Sequence, residues 1–415
     1  MTKLCLMLAL GLGFLLGGST HAAESSDDEL AEIKSRLQAL EKARESDATR
    51  LTEGGRFQKF MDKTHWHGYG EAHYNNPKGE TMTHSGNAAE IDIHRMALGL
   101  SHSISDVARV DLEIDYEHAA GTVELEYAYF EYDLFPHLSV RVGNLLMPVG
   151  HLNEVHEPLN FYSVERPYTQ KFIVPTTWQE NGFGVAGDAL DSQLTYRVYM
   201  VNGLDAGDFN ASSGIRSGRG GGNQAPAEDW ALVGRSELRP KDLSWLKLGA
   251  SAYYGEADQD DDNPTIRKSV DVALFTADVL LDFGDAEFFA EIMETRISNA
   301  DQLGTDTAPV GRRQTGSNVQ ASYHLTGLLS ERPTWDIVAF VRNEKFDTNA
   351  DVPSMTSRNG TAKRQVNTVG LAWYPIPEFV VKGDIGFWSD NAGRDPGVDH
   401  DQDVNRINIG VAWGF

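Results

Sequence analysis

Over residues 65–415 the chain alternates apolar and polar side chains with a period of two. The segment 107–117 is the plainest case. Ala108, Val110, Leu112, Ile114 and Tyr116 take one parity, and Arg109, Asp111, Glu113, Asp115 and Glu117 take the other. Successive side chains of a strand point to opposite faces, so this segment presents one greasy face and one charged face. A helix has a period of about 3.6 and would mix the two sets. The pattern persists to the last residue, where Ile407, Ile409, Val411, Trp413 and Phe415 oppose Asn408, Gly410, Ala412 and Gly414. The chain must be built of strands, and each face must find its own medium.

Sixteen such segments are predicted, at 65–74, 89–103, 107–117, 123–133, 138–147, 181–189, 193–201, 229–238, 245–255, 269–282, 286–297, 314–326, 334–345, 364–374, 379–389 and 404–415. Short connections (104–106, 283–285, 375–378) alternate with long ones (148–180, 202–228, 256–268, 298–313, 346–363, 390–403). Short turns at one rim and long loops at the other describe a transmembrane β-barrel. The predicted fold class is therefore all-β: a 16-stranded antiparallel transmembrane β-barrel with a short N-terminal coiled-coil helix.

A soluble β-sandwich or β-solenoid also alternates, but a sandwich joins its apolar faces and turns its wet faces to bulk water. Neither accounts for a wet face charged along the whole chain. In a lipid-embedded barrel the apolar faces meet lipid and the wet faces line a lumen. A terminal Phe after an alternating strand resembles the assembly signal of Gram-negative outer-membrane proteins. A mean hydropathy of −0.39 and the lack of long apolar runs exclude a helical-bundle membrane protein. A net charge of −25 excludes nucleic-acid binding, which needs a basic footprint. Trp373, Tyr374, Trp388 and Trp413 lie near strand ends and are predicted in aromatic girdles.

Residues 1–23 read as a signal peptide: Lys3, an apolar core over 4–16, then the small residues Ala22 and Ala23. Cys5 is the one cysteine and falls inside it, so the exported chain is neither a lipoprotein nor a disulfide scaffold. Residues 24–46 read as a helix whose Leu30, Ile33, Leu37 and Leu40 follow the three-four-three spacing of a coiled-coil seam. An oligomerisation stalk is the expectation, with a lone amphipathic helix as the alternative. Residues 47–64 are expected to be a polar linker containing Gly54 and Gly55. The domain plan is thus signal peptide 1–23, helix 24–46, linker 47–64 and barrel 65–415.

The polar parity supplies thirteen inward acids and seven inward bases along the wall. Charge rings in a low-dielectric pore select by sign, so the average favours cations, although the narrowest ring decides. That ring is expected from loop 148–180. Four prolines stiffen it, and Leu159, Phe161, Tyr162, Phe172, Ile173, Val174 and Trp178 make it too apolar for a solvated tip. Such a loop packs into the barrel. Its Glu154, Glu157 and Glu165 are then predicted to face Arg95, Arg109, Arg141 and Arg197, with Glu113, Glu124 and Glu126 on the same wall. Opposed rows make a transverse field, or the same residues are ion pairs that pin the loop.

The stretches 123–133 (VELEYAYFEYD), 141–150 (RVGNLLMPVG), 153–158 (NEVHEP), 164–167 (VERP) and 174–178 (VPTTW) resemble the phosphate-selective porin O/P-like family of outer-membrane porins. So does 215–219 (IRSGR). The resemblance implies a sixteen-stranded, homotrimeric porin with an inward constriction loop, for which the heptad segment makes a suitable stalk. A phosphate path needs rows of Arg and Lys as charge-assisted donors, and here the wall leans acidic, so the family's substrate is not carried over.

Other chemistry is weakly signalled. His65, His67 and His73 share a parity and suggest at most a weak metal site, and no metal or cofactor is assigned. His151, Glu154, His156 and Glu157 resemble ligands but form no HExxH motif. Gly218–Gly222 lacks the lysine of a phosphate-binding loop, and no G-x-S-x-G elbow occurs. Acidic tips at Asp258, Asp260, Asp261 and Asp262 and at Asp395, Asp399, Asp401 and Asp403 are solvated loops or divalent bridges to lipopolysaccharide. The expected function is a passive channel for ions and small hydrophilic solutes in the cell outer membrane, not an enzyme. A receptor-like pore for a chelated metal or siderophore is the alternative, followed by a barrel enzyme.

Overall fold

The computed structural model describes residues 23–78, 89–119, 121–259, 266–305, 308–354, 356–358, 362–390 and 405–415. The signal segment 1–22 and the acidic positions 260–262, 395, 399, 401 and 403 lie outside the described residues. The chain forms two units, Met1–Lys63 and Thr64–Phe415.

In the first unit, α1 runs Ala23–Met61 as one helix of 39 residues, roughly 58 Å at 1.5 Å per residue. The expected linker 47–64 is therefore helical up to Met61. Two glycines cost about 1 kcal/mol each in a helix, and the flanking Arg, Glu, Gln and Lys residues favour one enough to carry it through. Four-residue pairs support both halves: Arg36 donates to Glu32 at 2.6 Å, and Gln58 to Asp62 at 2.7 Å. Leu37 and Leu40 of the predicted seam are exposed.

The second unit is a closed antiparallel barrel. Its strands are β1 (Thr64–Lys78), β2 (Glu90–Ser105), β3 (Ala108–Glu117), β4 (Thr122–Phe135), β5 (Leu138–Leu146), β6 (Gln179–Ala189), β7 (Leu194–Asn202) and β8 (Trp230–Leu238). They continue as β9 (Leu246–Glu256), β10 (Asp271–Asp282), β11 (Ala286–Ile297), β12 (Arg313–His324), β13 (Asp336–Asp351), β14 (Lys363–Ile376), β15 (Phe379–Asp390) and β16 (Asn405–Gly414). Every strand pairs with its sequence neighbours, and β1 closes on β16 from Tyr69 opposite Gly414 to Lys78 opposite Asn405. All sixteen predicted segments are strands of this wall. One rim turns tightly, at 106–107, 136–137 and 377–378, although 325–335 there is longer and holds a 3₁₀ turn, Leu325–Leu328. The other rim carries the long loops.

The wall is inverted relative to a water-soluble protein. Ile91, Met96, Leu98, Leu232, Phe275, Ile292, Val341 and Ile409 are exposed on the outside. Glu71, Arg95, Asp115, Glu126, Arg235, Asp278, Glu291 and Arg342 are buried on the inside. A greasy outer face with every ladder closed suits a non-aqueous surround. Trp66, Trp245, Trp335, Trp373 and Phe415 are exposed near the tight-turn rim. Trp413 also faces outward, its ring lying over Gly70, where a Cβ would come within 2.4 Å. Two of the girdle expectations need correcting. Trp388 faces inward, 4.3 Å from the Tyr168 ring, and Tyr374 packs with the inward Leu159 and Tyr162. Both find partners on the folded-in loop, which outweighs an interfacial position.

Candidate functional site

The loop between β5 and β6, residues 147–178, fills much of the interior. Met147, Val149, Leu152, Ile173, Val174 and Trp178 are essentially unexposed, as their apolar content requires. Burying each is worth roughly 1.5–3 kcal/mol. Trp178 packs 5.0 Å from Tyr253 and donates Nε1 to Glu180 at 2.9 Å. Asn153 ties the loop's two ends together, donating to the carbonyls of Met147 and Trp178, both at 2.8 Å.

Polar anchors then pin the loop around the wall. The Gly150 amide donates to Ser251 at 3.1 Å on β9, and His151 lies 3.1 Å from Glu291 on β11. Tyr162 donates to Glu287 at 2.6 Å. The Thr169 amide donates to Glu344 at 2.9 Å on β13, and the Val164 amide to Asp384 at 2.6 Å on β15. His156 meets Glu126 on β4 at 2.6 Å. His151 and His156 thus reach different walls and do not gather into one ligand set.

The predicted site residues divide into groups. Glu154 meets Arg197 at 2.7 Å, the one predicted opposition that forms. Glu165 meets His73, at 3.2 Å, and Asn75, at 2.8 Å, instead of an arginine. Burial opposes its ionisation, but those bonds hold its carboxyl well below the usual range. Glu157 accepts from Asn160 at 2.7 Å within its own turn. Arg95 is fully buried, 2.8 Å from Glu71 and 3.9 Å from Glu126. Arg109 and Arg141 both clamp Glu131, at 2.6 and 2.5 Å.

Of the predicted wall arginines, Arg95, Arg109 and Arg141 therefore face wall acids, and Arg197 alone faces an acid of the loop. The reason is cross-strand register, which sets Glu131 opposite both Arg109 and Arg141 and Glu71 opposite Arg95. Glu113 sits 3.4 Å from His67. It lines a cavity of about 150 Å³ with Tyr129, Arg141, Glu154, His156 and Glu157. Glu124 is exposed. His65 stacks on His67 at 6.4 Å, while His73 bonds Glu71 and Glu165, so the predicted trio does not converge.

A cationic group was missed. Arg216 and Arg219, from the loop between β7 and β8, donate to the carbonyls of Thr176 and Thr177 and so strap that loop to the inward one. Arg166 joins them, its Nη1 buried with no hydrogen-bond partner among the described residues. Burial, then Arg219 and Arg166, push Arg216 below the ordinary arginine range, but a guanidinium keeps its charge throughout the pH range in which a lysine titrates. Lys171 reaches lumen water but is densely surrounded. Burial and the repulsion of Arg216, Arg166 and Arg406 outweigh Glu165 and lower it. Glu117 and Glu124 act on Arg216 and Arg219 from the β3–β4 side. The sequence signal was present in the VERP and IRSGR strings, but only packing brings them together. Also missed on the wall were Glu71, Glu131, Arg235 and Glu237. Strand parity alone places Arg235 and Glu237 inward, and Arg235 meets Asp278 at 2.9 Å.

No family model matches the chain. A protein of Aquifex aeolicus (strain VF5), described only as uncharacterized, is 31% identical over 340 residues, which cover 76% of this chain and 74% of that protein. The chain belongs to that protein's family. Among solved structures, this chain's barrel is similar to an anion-selective porin from Comamonas acidovorans, with a TM-score of 0.54 and 10% identity over 85% of this chain and 99% of that one. Similar too is OmpF of Salmonella typhi, solved with daunomycin, with a TM-score of 0.56 and 10% identity over 85% and 97%. The fold is that of the outer-membrane porins.

Proposed function

We propose that the protein is a water-filled channel of the outer membrane, through which ions and small hydrophilic solutes diffuse passively past the inward loop 148–180. The observation that carries this is the inverted wall: greasy outward, charged inward, closed, with a long loop pinned across the inside. A wall of this kind has no stable arrangement in water and a natural one in a bilayer. The charged interior argues for solute passage rather than catalysis.

In the finer reading, Arg166, Lys171, Arg216 and Arg219 set the sign of the constriction. Most wall acids are consumed in ion pairs, whereas these cations crowd one another across from Glu117 and Glu124. Anionic groups are drawn to the loop side, and the field between the two sides orients dipolar solutes. Membership of the phosphate-selective O/P-like group is part of this proposal, supported by the motif strings and by Arg216 and Arg219. The channel is proposed to be exported, to sit among outer-membrane lipids and lipopolysaccharide, and to assemble as a homotrimer through α1.

The test is reconstitution into planar bilayers with a salt gradient. Ohmic steps with a reversal potential of anion sign are expected. Folded protein that conducts nothing sinks the channel, and a cation-sign reversal potential sinks the role given to the four basic residues.

A further inference from the structure

A second cluster lies at the long-loop rim, where β1, β2 and the turn after β3 meet. Two backbone irregularities build it. In the β1–β2 ladder Glu71 pairs with Arg95 and Ala72 with Ile93, so His94 is an extra, bulged residue. A bulge re-aims a side chain that regular alternation would send elsewhere. The turn after β3 holds His118 at φ 50° and Ala119 at φ 55°, both left-handed and neither a glycine. Backbone strain of this kind persists where the surroundings enforce it. Here the His118 amide donates to the His94 carbonyl at 3.0 Å, and the Ala119 amide to that of Ile93 at 3.1 Å.

The two irregularities bring imidazoles to one carboxylate. Asp92 Oδ2 lies 2.5 Å from His118 Nδ1 and 3.5 Å from His94 Nδ1. One donor atom from each of the three residues falls within 4.8 Å of the others. Around a tetrahedral ion with bonds of about 2.0–2.1 Å, ligand atoms stand roughly 3.3–3.4 Å apart, so small side-chain rotations close the set. Behind it His73 stacks on His94 at 4.4 Å and is itself held by Glu71, at 2.9 Å, and Glu165, at 3.2 Å. That outer layer orients the His94 ring, as the supporting groups of metal ligands do.

We propose that Asp92, His94 and His118 bind a divalent transition-metal ion of the zinc class, with water in the remaining position. Two imidazoles and a carboxylate are a donor set for such ions rather than for calcium or magnesium, which take all-oxygen shells. His118 is exposed, so the ion enters from the rim. The site clips the β3–β4 turn to β2, one ring away from the Glu165 anchor of the inward loop. It stands whether or not the barrel conducts.

Zinc chloride is titrated calorimetrically into the full-length protein, folded in detergent and stripped with EDTA, and cobalt absorption is read in parallel. One ion per chain is expected, with tetrahedral cobalt bands. Affinity should fall at least about tenfold in His118→Ala, which lies outside the strands, and in Asp92→Asn. His65→Ala and Asp258→Asn should bind as the native protein does, and heat-modifiable migration checks that every variant is folded. No binding by the native protein at micromolar free zinc overturns the proposal. So does unchanged binding by folded His118→Ala and Asp92→Asn.

Discussion

At the scale of single residues, the interior is governed by who is paired. Glu131 receives two guanidiniums and Arg235 meets two carboxylates, Asp278 and Glu237, so these groups are held in place and screened. Breaking the fully buried Arg235–Asp278 pair costs about 3–5 kcal/mol, because the remaining charge is stranded. Lys171 differs, since its neighbours are mostly cations. Its ammonium is disfavoured in the folded protein, so it loses its proton at a lower pH than an ordinary lysine. The positive charge is complete below that range and gone above it. Anion preference, read as reversal potential, should therefore fall as pH rises toward the ordinary lysine range. By the same linkage, folding is relieved of a penalty as the proton leaves, so stability should not drop over that step. Lys171→Arg should keep the neutral-pH preference and flatten the pH response. A native channel with a flat profile would remove Lys171 from the constriction.

At the scale of elements, period two was sufficient for the strands, because lipid and water enforce it on every one of them. The loop's inward fold was legible from its apolar content instead, since Phe161, Ile173 and Trp178 have no other dry place to go. Pairing was less legible. It depends on register across strands, and bulges shift register: His94 on β2 and Glu126 on β4 are both extra residues in their ladders. Arg95 therefore meets Glu71, and Glu126 turns to His156, neither of which alternation alone could supply. The Arg166–Arg216–Arg219 group was hidden for another reason, as it joins two loops far apart in sequence. The alternation itself is directly testable at neighbouring positions of β11. Ile292 is exposed outward and Glu291 is buried inward. Ile292 lies midway along β11, so Ile292→Arg should destabilise the bilayer-folded barrel by about 2–4 kcal/mol in urea titrations in lipid vesicles. Ile292→Leu should be close to neutral. An arginine tolerated without cost would mean that the outer face does not meet lipid.

At the scale of the whole molecule, net charge is a poor guide to the sign proposed for the channel. The chain carries −25 overall, yet in the proposed reading a local group of cations sets the sign of the constriction, because acids that neutralise wall arginines no longer act on a solute. The same distinction between composition and placement applies to α1. Its seam leucines are exposed, Leu37 at 56% and Leu40 at 67%, and so are Phe57 at 65% and Phe60 at 45%. An isolated helix gains little from propensity alone, so the exposed apolar residues of a 39-residue helix are predicted to take a partner. Identical chains can supply it to one another with their seams in register. Deleting 23–61 should leave the barrel intact, because the barrel is a unit of its own from Thr64. Strand content by circular dichroism and the unit conductance should be unchanged. The trimer fraction in mild detergent should fall, and bilayer insertions should shift from steps in threes to single steps. If the truncated chain kept the full trimer fraction and the triple steps, α1 would not be the assembly element, and the barrel's own outer face would have to provide the contact.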